Sequence, residues 1–306
     1  MTNSKHIRII SPSGHISSDI VDSSRNYLET CGFRVTEGRF VRGEYGRFSG
    51  TKQERLEDIV EALTDPSVDI VLCSRGGYGL QQIVDEVSKH LLSQARLPLL
   101  IGFSDITCLH SLYAFTDFAS MHGLMCKIGE KDVNSMQVQR WLEMLHGEDV
   151  CYEFPYDVHQ REGQTKGVLI GGNLSVLYGL QGTPYSLSSI ILNNKRKGKK
   201  NILFLEDVSE RHYHIDRMMH NLRLSGVLSQ IDGLVVGQFT DIEPDPLMLC
   251  SVQDTIYDAV ACFDYPVLMD FPAGHGDVNM PFFLNRETLL TVTSRGAEFF
   301  QRGYNV

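Results

Sequence analysis

Residues 97–110 read LPLLIGFSDITCLH, and this stretch decides the fold class. The segment LPLLIGF is an apolar run, which is typical of a parallel strand that is covered on both faces. Ser104 and Asp105 follow it directly, and the next residues, ITCLHSLYAF, have the character of a helix. A buried strand that leads through a polar turn into a helix predicts an α/β unit.

The first half of the chain repeats this alternation of strand and helix. A short strand, IRIIS at 7–11, precedes apolar positions that recur at helical spacing between residues 20 and 31. Thr51 and Glu54 have the spacing of a capping box at the start of an amphipathic helix. VDIVLCS (68–74) is a second strand. We therefore predict a doubly wound α/β unit with a parallel sheet.

The second half is richer in strands, and it begins near Gly167. Its strand candidates are GVLI (167–170), SSIIL (188–192), NILFLE (201–206), GLVVGQF (233–239), PVLMDF (266–271) and TLLTVTS (288–294). We predict an N-terminal α/β domain at 1–148, a linker at 149–166 and a mixed, strand-rich C-terminal domain at 167–306.

Composition and charge exclude several classes of protein. The 306 residues suffice for two domains, each with its own core. A net charge of −10 repels phosphate backbones and anionic lipid, and we expect the basic run at 195–200 to form a solvated turn between strands. No apolar run reaches the ~18 residues of a membrane span, and the first 14 residues lack the apolar region of a signal peptide. We expect a cytoplasmic protein that binds neither nucleic acid nor membranes.

Cysteine and histidine spacing argues against a metal site. The seven cysteines are scattered, odd in number and never arranged as a C-x-x-C pair, so neither a disulfide framework nor a zinc site is expected. The three histidines near one predicted helix, His212, His214 and His220, match no zinc template.

Ser104 allows two interpretations. A serine on a tight turn between strand and helix exposes its hydroxyl at the sheet edge, next to the free amides of the helix start. That arrangement suits a nucleophile that attacks a carbonyl. Alternatively, Ser104 accepts a hydrogen bond from an amide two or three residues further on and acts only as a helix cap. Its position alone does not decide between them.

The glycine-rich segment SRGGYG (74–79) also follows a strand end. Its glycines allow backbone amides to approach a ligand closely, but it is neither a dinucleotide fingerprint nor a phosphate loop. The amides of Gly77 and Asp105 are candidates for an oxyanion hole. The alternative is an ordinary turn.

A serine nucleophile needs a base, and the base needs a group that orients it. Glu206 ends the strand NILFLE, and His275 lies between Gly274 and Gly276 after PVLMDF. Each residue alone is equally compatible with a solvated turn or a surface loop. We predict that Glu206 and His275 face Ser104 across a cleft between the domains.

Six motifs taken together resemble the LD-carboxypeptidase family of serine peptidases. They occur in the family's order over almost the whole chain and are GTKQERLEDI, SRGGYG, GFSDIT, GVLIGGNLSVL, FLEDVSERHYHIDRMMHNL and GHGDVNMPFFLN. The resemblance implies that Ser104 is the nucleophile, with Glu206 and His275 as the other triad members. It also implies oxyanion donors at the amides of Gly77 and Asp105.

The resemblance further implies a fold and an activity. The fold would be a flavodoxin-like first domain joined to a swivelling β/β/α second domain, commonly as a homodimer, with no metal or organic cofactor. The activity would be cleavage of the L,D-amide bond that releases terminal D-alanine from murein tetrapeptides during cytoplasmic cell-wall recycling. Arg75, Gly76 and Tyr78 are candidate substrate-binding residues, Arg75 for the free carboxylate.

Two alternatives to this activity remain. Some members of the same family hydrolyse acyl-adenylate-type toxins and confer immunity to microcin C, and the shared motifs do not separate the two groups. A protein that only binds a small ligand at the sheet edge, with Ser104 as a cap, is a second alternative.

Overall fold

The structure is a computed structural model that describes residues 4–130, 132 and 134–305. The chain divides into two compact units. The first contains the described residues up to Gly147, together with Met280–Phe283 and the described end of the chain from Tyr304. The second contains Glu148–Asn279 and Leu284–Gly303.

The strands, numbered in chain order, are β1 (His6–Ile10), β2 (Arg34–Glu37), β3 (Ile70–Cys73), β4 (Leu99–Gly102), β5 (Ser120–His122), β6 (Val150–Phe154), β7 (Gly163–Asn173), β8 (Asn201–Val208), β9 (Gly233–Thr240), β10 (Val267–Leu268), β11 (Phe282–Leu284), β12 (Glu287–Thr293) and β13 (Gly296–Gln301). The helices are α1 (Ser18–Thr30), α2 (Lys52–Thr64), α3 (Val84–Leu91), α4 (Thr107–Tyr113), α5 (Met136–Leu145), α6 (Leu174–Gly179), α7 (Leu187–Arg196), α8 (His212–Leu224) and α9 (Val252–Ala259). Short 3₁₀ turns lie at Leu80–Gln82, Ser104–Ile106 and Cys126–Glu130. No helix within the described ranges is long and apolar enough to cross a membrane.

The first sheet has the strand order β11-β5-β4-β3-β1-β2. The pairs among β1 to β5 are parallel, and every residue of β1, β3 and β4 is buried. The order β2-β1-β3-β4-β5 is that of the flavodoxin-like doubly wound fold. The predicted fold of this unit is therefore confirmed, and the apolar run that forms β4 lies inside the sheet as its composition requires.

Helix α2 begins at the predicted capping box. The Thr51 hydroxyl accepts a hydrogen bond from the Glu54 amide at 3.3 Å, and the Glu54 carboxylate accepts one from the Thr51 amide at 2.7 Å. These reciprocal bonds satisfy two amides that a helix start otherwise leaves free. They fix the first turn of α2, which places Arg55 in the interior of the unit with 1% of its surface exposed.

The second sheet has the order β10-β9-β8-β7-β12-β13-β6 and is mixed, as predicted. The strands from β10 to β7 pair in parallel, whereas those from β7 through β12 and β13 to β6 pair antiparallel. In a parallel array, all carboxyl ends lie at one edge. The carboxyl ends of β8 and β9 are consequently neighbours, which matters for the site.

The prediction of a strand at SSIIL was wrong. These residues form most of the first two turns of α7, where the Ser186 hydroxyl caps the helix by accepting from the Ser189 amide. β7 and β8 are parallel neighbours, so the chain between them must cross over, and such crossovers are usually helical. The connection therefore forms a helix although its residues are apolar enough for a strand. The basic run at 195–200 accordingly begins in the last two residues of α7 and ends just before β8, so it follows no strand.

Residues 149–166, which we expected to form a linker, contain strand structure of the second sheet. β6 occupies Val150–Phe154, and β7 begins at Gly163. In β6, Val150 and Tyr152 are buried, whereas Cys151 and Glu153 are exposed. This alternation is the signature of a strand with one covered face.

Candidate active site

Three loops meet at the carboxyl ends of β1, β3 and β4 in the first unit. The Ser11 and Ser74 hydroxyls are 2.6 Å apart, and the Gly14 amide donates to the Gly76 carbonyl at 3.1 Å. β1 and β3 are the strands at which the sheet order reverses, and doubly wound folds bind ligands at this switch point. Ser104 lies at the end of the next strand, β4.

Ser104 has a left-handed backbone, with φ of +67°. A side chain in this conformation costs about 1–3 kcal/mol, so the surrounding contacts must hold it there. Among the described residues, none provides a side-chain cap at the 3₁₀ turn Ser104–Ile106 or at the start of α4, whose cap positions are Phe103 and Ile106. The structure therefore does not support the helix-cap interpretation of Ser104. Its side chain is half-buried at the strand end.

Gly76 lies directly against Ser104. A Cβ atom on Gly76 would stand 2.7 Å from the Ser104 Cβ and 2.9 Å from its hydroxyl oxygen. Only glycine fits at this distance, because real Cβ atoms do not approach other atoms so closely. The next residue, Gly77, is exposed and has φ of +117°. The two predicted parts of the site, SRGGYG and GFSDIT, are thus in contact.

The Asp105 side chain holds two of these loops in place. One of its carboxylate oxygens accepts hydrogen bonds from the Ser13 hydroxyl at 2.7 Å and from the Leu80 amide at 3.0 Å. Burial raises the pKa of this carboxyl, while the two hydrogen bonds and the nearby Arg55 act in the opposite direction. The sequence pointed to a role for the Asp105 amide alone, because no local pattern indicates the partners of its carboxylate.

Arg55 connects the same loops from the interior. Its guanidinium donates to the carbonyls of Pro12 and Gly79 at 3.0 and 3.1 Å, and to the Gln82 side chain at 3.0 Å. Desolvation lowers the pKa of Arg55, and the charge of Asp105 partly compensates. The only sequence signal for this residue was its place in the motif GTKQERLEDI.

Glu206 and His275 form a hydrogen-bonded pair in the second unit. Nδ1 of His275 and Oε2 of Glu206 are 2.7 Å apart, and the Glu206 side chain is completely buried. The pairing register of β8 with β9 shifts between Leu205 and Asp207, so two residues of β9, Gly237 and Gln238, lie opposite Glu206 alone. Such irregularities change the direction of a strand locally. The predicted association of these two residues, 69 positions apart, is thus present in the structure.

The surroundings of His275 keep its pKa above the ordinary value. Burial alone would lower the pKa, because it disfavours the charged imidazolium. The hydrogen bond to Glu206 and the negative charges of Glu206, Asp207 and Asp241 together outweigh burial. This imidazole can therefore take up a proton more readily than a free histidine.

Asp207 is a second buried carboxyl beside Glu206. Burial, and next the charge of Glu206, raise its pKa to about 7. Its oxygens accept hydrogen bonds from the Asn173 side chain at 2.9 Å and from the Ser175 amide at 2.8 Å. Asp207 therefore fixes the start of α6, and it also adds negative charge near the imidazole. In the sequence, Asp207 stood out only as part of the motif FLEDVSERHYHIDRMMHNL.

The glycines around His275 are required by packing. A Cβ atom on Gly274 would lie 3.1 Å from the Glu206 carboxylate, and one on Gly276 would lie 2.2 Å from the Gln238 side-chain oxygen. Gly274 also has φ of +137°, which favours glycine. The loop thus passes closely over β8 and β9, and this brings His275 to Glu206.

The remaining predicted residues lie on the surface of the first unit. Arg75 and Tyr78 are exposed at either side of Gly76 and Gly77, and Nη1 of Arg75 donates to the His15 carbonyl at 3.1 Å. Among the residues that the structure describes, no group of three or more histidine, cysteine or acidic side chains could hold a metal ion.

Comparisons with known proteins agree with this architecture. The profile of the LD-carboxypeptidase N-terminal domain matches residues 7–123, and that of the LD-carboxypeptidase C-terminal domain matches residues 166–290. A probable murein peptide carboxypeptidase of Bacillus subtilis is 29% identical over 275 residues, and the aligned region covers 88% of this chain and 83% of the Bacillus protein. The murein tetrapeptide carboxypeptidase of Pseudomonas aeruginosa is 29% identical over 283 residues, covering 89% of each chain.

Solved structures share the fold. A muramoyltetrapeptide carboxypeptidase from Oxalobacter formigenes superimposes with a TM-score of 0.82 at 23% identity, covering 99% of this chain and 100% of the other. The microcin C7 self immunity protein MccF in complex with aspartyl sulfamoyl adenosine superimposes with a TM-score of 0.80 at 17% identity, covering 100% and 98%. With both of its domains matched, the chain belongs to the LD-carboxypeptidase family of peptidases.

Proposed function

We propose that this protein is a serine-type LD-carboxypeptidase that releases the terminal D-alanine from murein tetrapeptides. Ser104 is the nucleophile, His275 is the general base, and Glu206 orients the imidazole. The amides of Gly77 and Asp105 form the oxyanion hole. The substrate class follows from the family and from the names of the relatives, and the place of action is the cytoplasm, where such peptides are recycled.

The observation that carries the proposal is the pair of Glu206 and His275. The hydrogen bond of 2.7 Å to a fully buried carboxylate places the hydrogen on Nδ1, so Nε2 is left as the basic nitrogen. Burying a carboxylate costs free energy of folding, because the charge loses its hydration. A protein that only binds a ligand does not require a histidine with a fixed tautomer to compensate for this cost. A catalytic base needs both the fixed tautomer and the stabilised imidazolium.

The residues then perform acyl transfer in two steps. The Ser104 oxygen attacks the carbonyl carbon of the L,D-amide bond, and its proton passes to Nε2 of His275. The carbonyl oxygen becomes an oxyanion, which the amides of Gly77 and Asp105 stabilise by roughly 3–4 kcal/mol per donor. The C–N bond breaks, His275 returns the proton to the nitrogen, and D-alanine leaves. Water, activated by His275, then hydrolyses the ester on Ser104.

The strained backbone of Ser104 supports its role as nucleophile. Its φ of +67° after β4 resembles the turns that expose a nucleophilic serine at a sheet edge. The contact with Gly76 brings the SRGGYG backbone next to the hydroxyl. The one tryptophan of the chain, Trp141, is fully buried, so it does not offer a surface on which a nucleobase stacks. This favours a peptide over an acyl-adenylate as substrate.

The test is D-alanine release from a murein tetrapeptide by purified wild type and Ser104→Ala. We expect wild type to release D-alanine and to leave the all-L analogue uncut, whereas Ser104→Ala releases none. Ser209→Ala is the matched control, because Ser209 also has a left-handed backbone, with φ of +57°, and is exposed. It should retain wild-type activity.

Two outcomes would overturn parts of this proposal. Retained D-alanine release by Ser104→Ala excludes it as the nucleophile. Cleavage of an aminoacyl sulfamoyl adenosine in preference to the tetrapeptide would show that the substrate belongs to the acyl-adenylate class.

We further propose that the protein is a homodimer. Sedimentation should then give twice the mass of one chain.

A further inference from the structure

A carboxypeptidase must recognise the free carboxylate at the end of its substrate. This carboxylate is separated from the scissile carbonyl carbon only by the nitrogen and the α-carbon of the last residue. The group that binds it must therefore lie close to the oxyanion hole. If the proposed function is correct, this means next to Gly77, and arginine is the side chain best suited to bind a carboxylate with two parallel hydrogen bonds.

Two exposed arginines beside this loop have no carboxylate partner. Arg47 and Arg75 form no ion pair with any residue in the described part of the chain. Most other arginines of the first unit do: Arg8, Arg25, Arg39, Arg42, Arg96 and Arg140. The chain has 38 acidic residues against 28 basic ones, so unpaired guanidinium groups are not the result of a shortage of carboxylates.

The backbone holds these two arginines in neighbouring positions. The Arg75 guanidinium donates to the His15 carbonyl at 3.1 Å, and the His15 amide donates to the Arg47 carbonyl at 3.3 Å. The Arg47 guanidinium carbon lies 5.9 Å from the centre of the Tyr78 ring, a cation–π contact. Tyr78 directly follows Gly77. These contacts place Arg47 beside the loop that carries the proposed oxyanion donor, although Arg47 belongs to a different loop, between β2 and α2.

We propose that Arg47, together with Arg75, binds the terminal carboxylate of the substrate, and that Tyr78 supports the Arg47 guanidinium. Arg75 uses one N–H for the His15 carbonyl and retains others for a ligand, because a guanidinium has five donors. This inference rests on the proposed function. It assigns to Arg47 the selection of peptides with a free end, and it gives the loop around Arg47 a role that the sequence did not indicate.

The test measures binding rather than turnover, in the Ser104→Ala background. The probes are a murein tetrapeptide and the same peptide with its terminal D-alanine as the amide. We expect the free acid to bind more tightly than the amide. Arg47→Ala should weaken binding of the acid by about 10- to 100-fold, since a hydrogen bond to a charged group is lost, and should leave the amide within about 2-fold. Arg75→Ala should behave similarly, and Arg47→Lys should fall between.

Arg34→Ala is the matched control. Arg34 is exposed and free of ion pairs within the described ranges, but it starts β2 at the opposite edge of the sheet. It should change neither affinity. If Arg47→Ala weakened binding of the acid and of the amide equally, Arg47 would have a structural role, and the inference would be overturned. It would also be overturned if Arg47→Ala bound both peptides as tightly as its Ser104→Ala parent, or bound neither peptide. Failure of the proposed function is a separate result, since it appears as absence of D-alanine release from wild type.

Discussion

The two units present their candidate catalytic residues in different ways, although both do so at the carboxyl ends of parallel strands. In the first unit, backbone conformation and packing define the position of the serine side chain. Ser104 has a left-handed φ of +67° and lies against Gly76, where no Cβ atom fits. In the second unit, electrostatics define the protonation state of the histidine. His275 is held by a buried carboxylate at 2.7 Å, and its pKa is raised.

This difference indicates that the two units contribute different properties to the proposed site. The proposed nucleophile, Ser104, must approach a carbonyl carbon, and the first unit fixes the position of its side chain. The proposed base, His275, must accept a proton, and the second unit provides the carboxylate that sets its tautomer and raises its pKa. Changes in the first unit should therefore lower the rate without moving the pH profile. Changes in the second unit should alter the dependence on tautomer or pH.

Glu206→Gln should have the largest effect. A glutamine amide at this position can donate to Nδ1, which would place the hydrogen on Nε2 and remove the base. We expect kcat to fall roughly 10³- to 10⁴-fold, as for the equivalent change in other triads, with little change in KM. The measurement is steady-state release of D-alanine. A loss of less than about 10-fold would show that the carboxylate does not set the tautomer.

Gly76→Ala should be next in size. The added methyl group would lie within 2.7 Å of the Ser104 Cβ, so the serine or the loop must move. A misplacement of about 1 Å can cost about 100-fold in rate, and the pH profile should stay unchanged. Gly123→Ala is a suitable control, because a Cβ atom there would only reach 3.3 Å from Pro281 and Trp141. Near-wild-type kinetics in Gly76→Ala would contradict the packing argument.

Asp105→Ala should have a moderate effect on both stability and rate. It leaves the Ser13 hydroxyl and the Leu80 amide without their shared acceptor, at a cost of about 1–3 kcal/mol each. Because these groups hold the loops around the proposed oxyanion hole, kcat should fall roughly 10-fold. Asp105→Asn keeps an oxygen acceptor and should restore most of both quantities. Chemical denaturation measures the stability of the two variants, and steady-state kinetics measures their kcat. Equal losses in Asp105→Ala and Asp105→Asn would refute the role of the carboxylate as a shared acceptor.

Asp207→Asn should have the smallest effect at high pH and a diagnostic effect at low pH. In the proposed mechanism His275 acts as a neutral base, so we expect activity to be lost as the pH falls through the raised pKa of this residue, above 6.5. Removing the Asp207 charge takes away one of the interactions that raise this pKa. The acid limb of kcat/KM should move to lower pH, with the plateau within about 3-fold of wild type. An unchanged or upward-shifted limb would contradict the electrostatic account.

Much of the architecture could be predicted from local sequence. The apolar run of β4 and the capping box of α2 are signals within a few residues, and both were confirmed. The association of Glu206 with His275 was expected partly from position after strands and mainly from the family resemblance. Local patterns alone could not pair them, because the contact joins a strand residue and a loop residue that lie 69 positions apart.

The remaining features depend on tertiary context. SSIIL has the composition of a strand, but the parallel pairing of β7 with β8 requires a crossover, and the segment forms α7. β11 is only three residues long and joins the first sheet from the far end of the chain, so no periodicity indicates it. The φ of Ser104 and the Asp105 contacts arise from loops that meet only in the folded unit.

The most direct test of the central claim is labelling of the protein by a fluorophosphonate, followed by mass analysis of the peptides. We expect one phosphonyl group per chain, located on Ser104, with a labelling rate that falls by about 100-fold or more in His275→Ala. Labelling at another residue, or wild-type labelling of Ser104 in His275→Ala, would contradict the claim that the imidazole of the second unit activates the hydroxyl of the first.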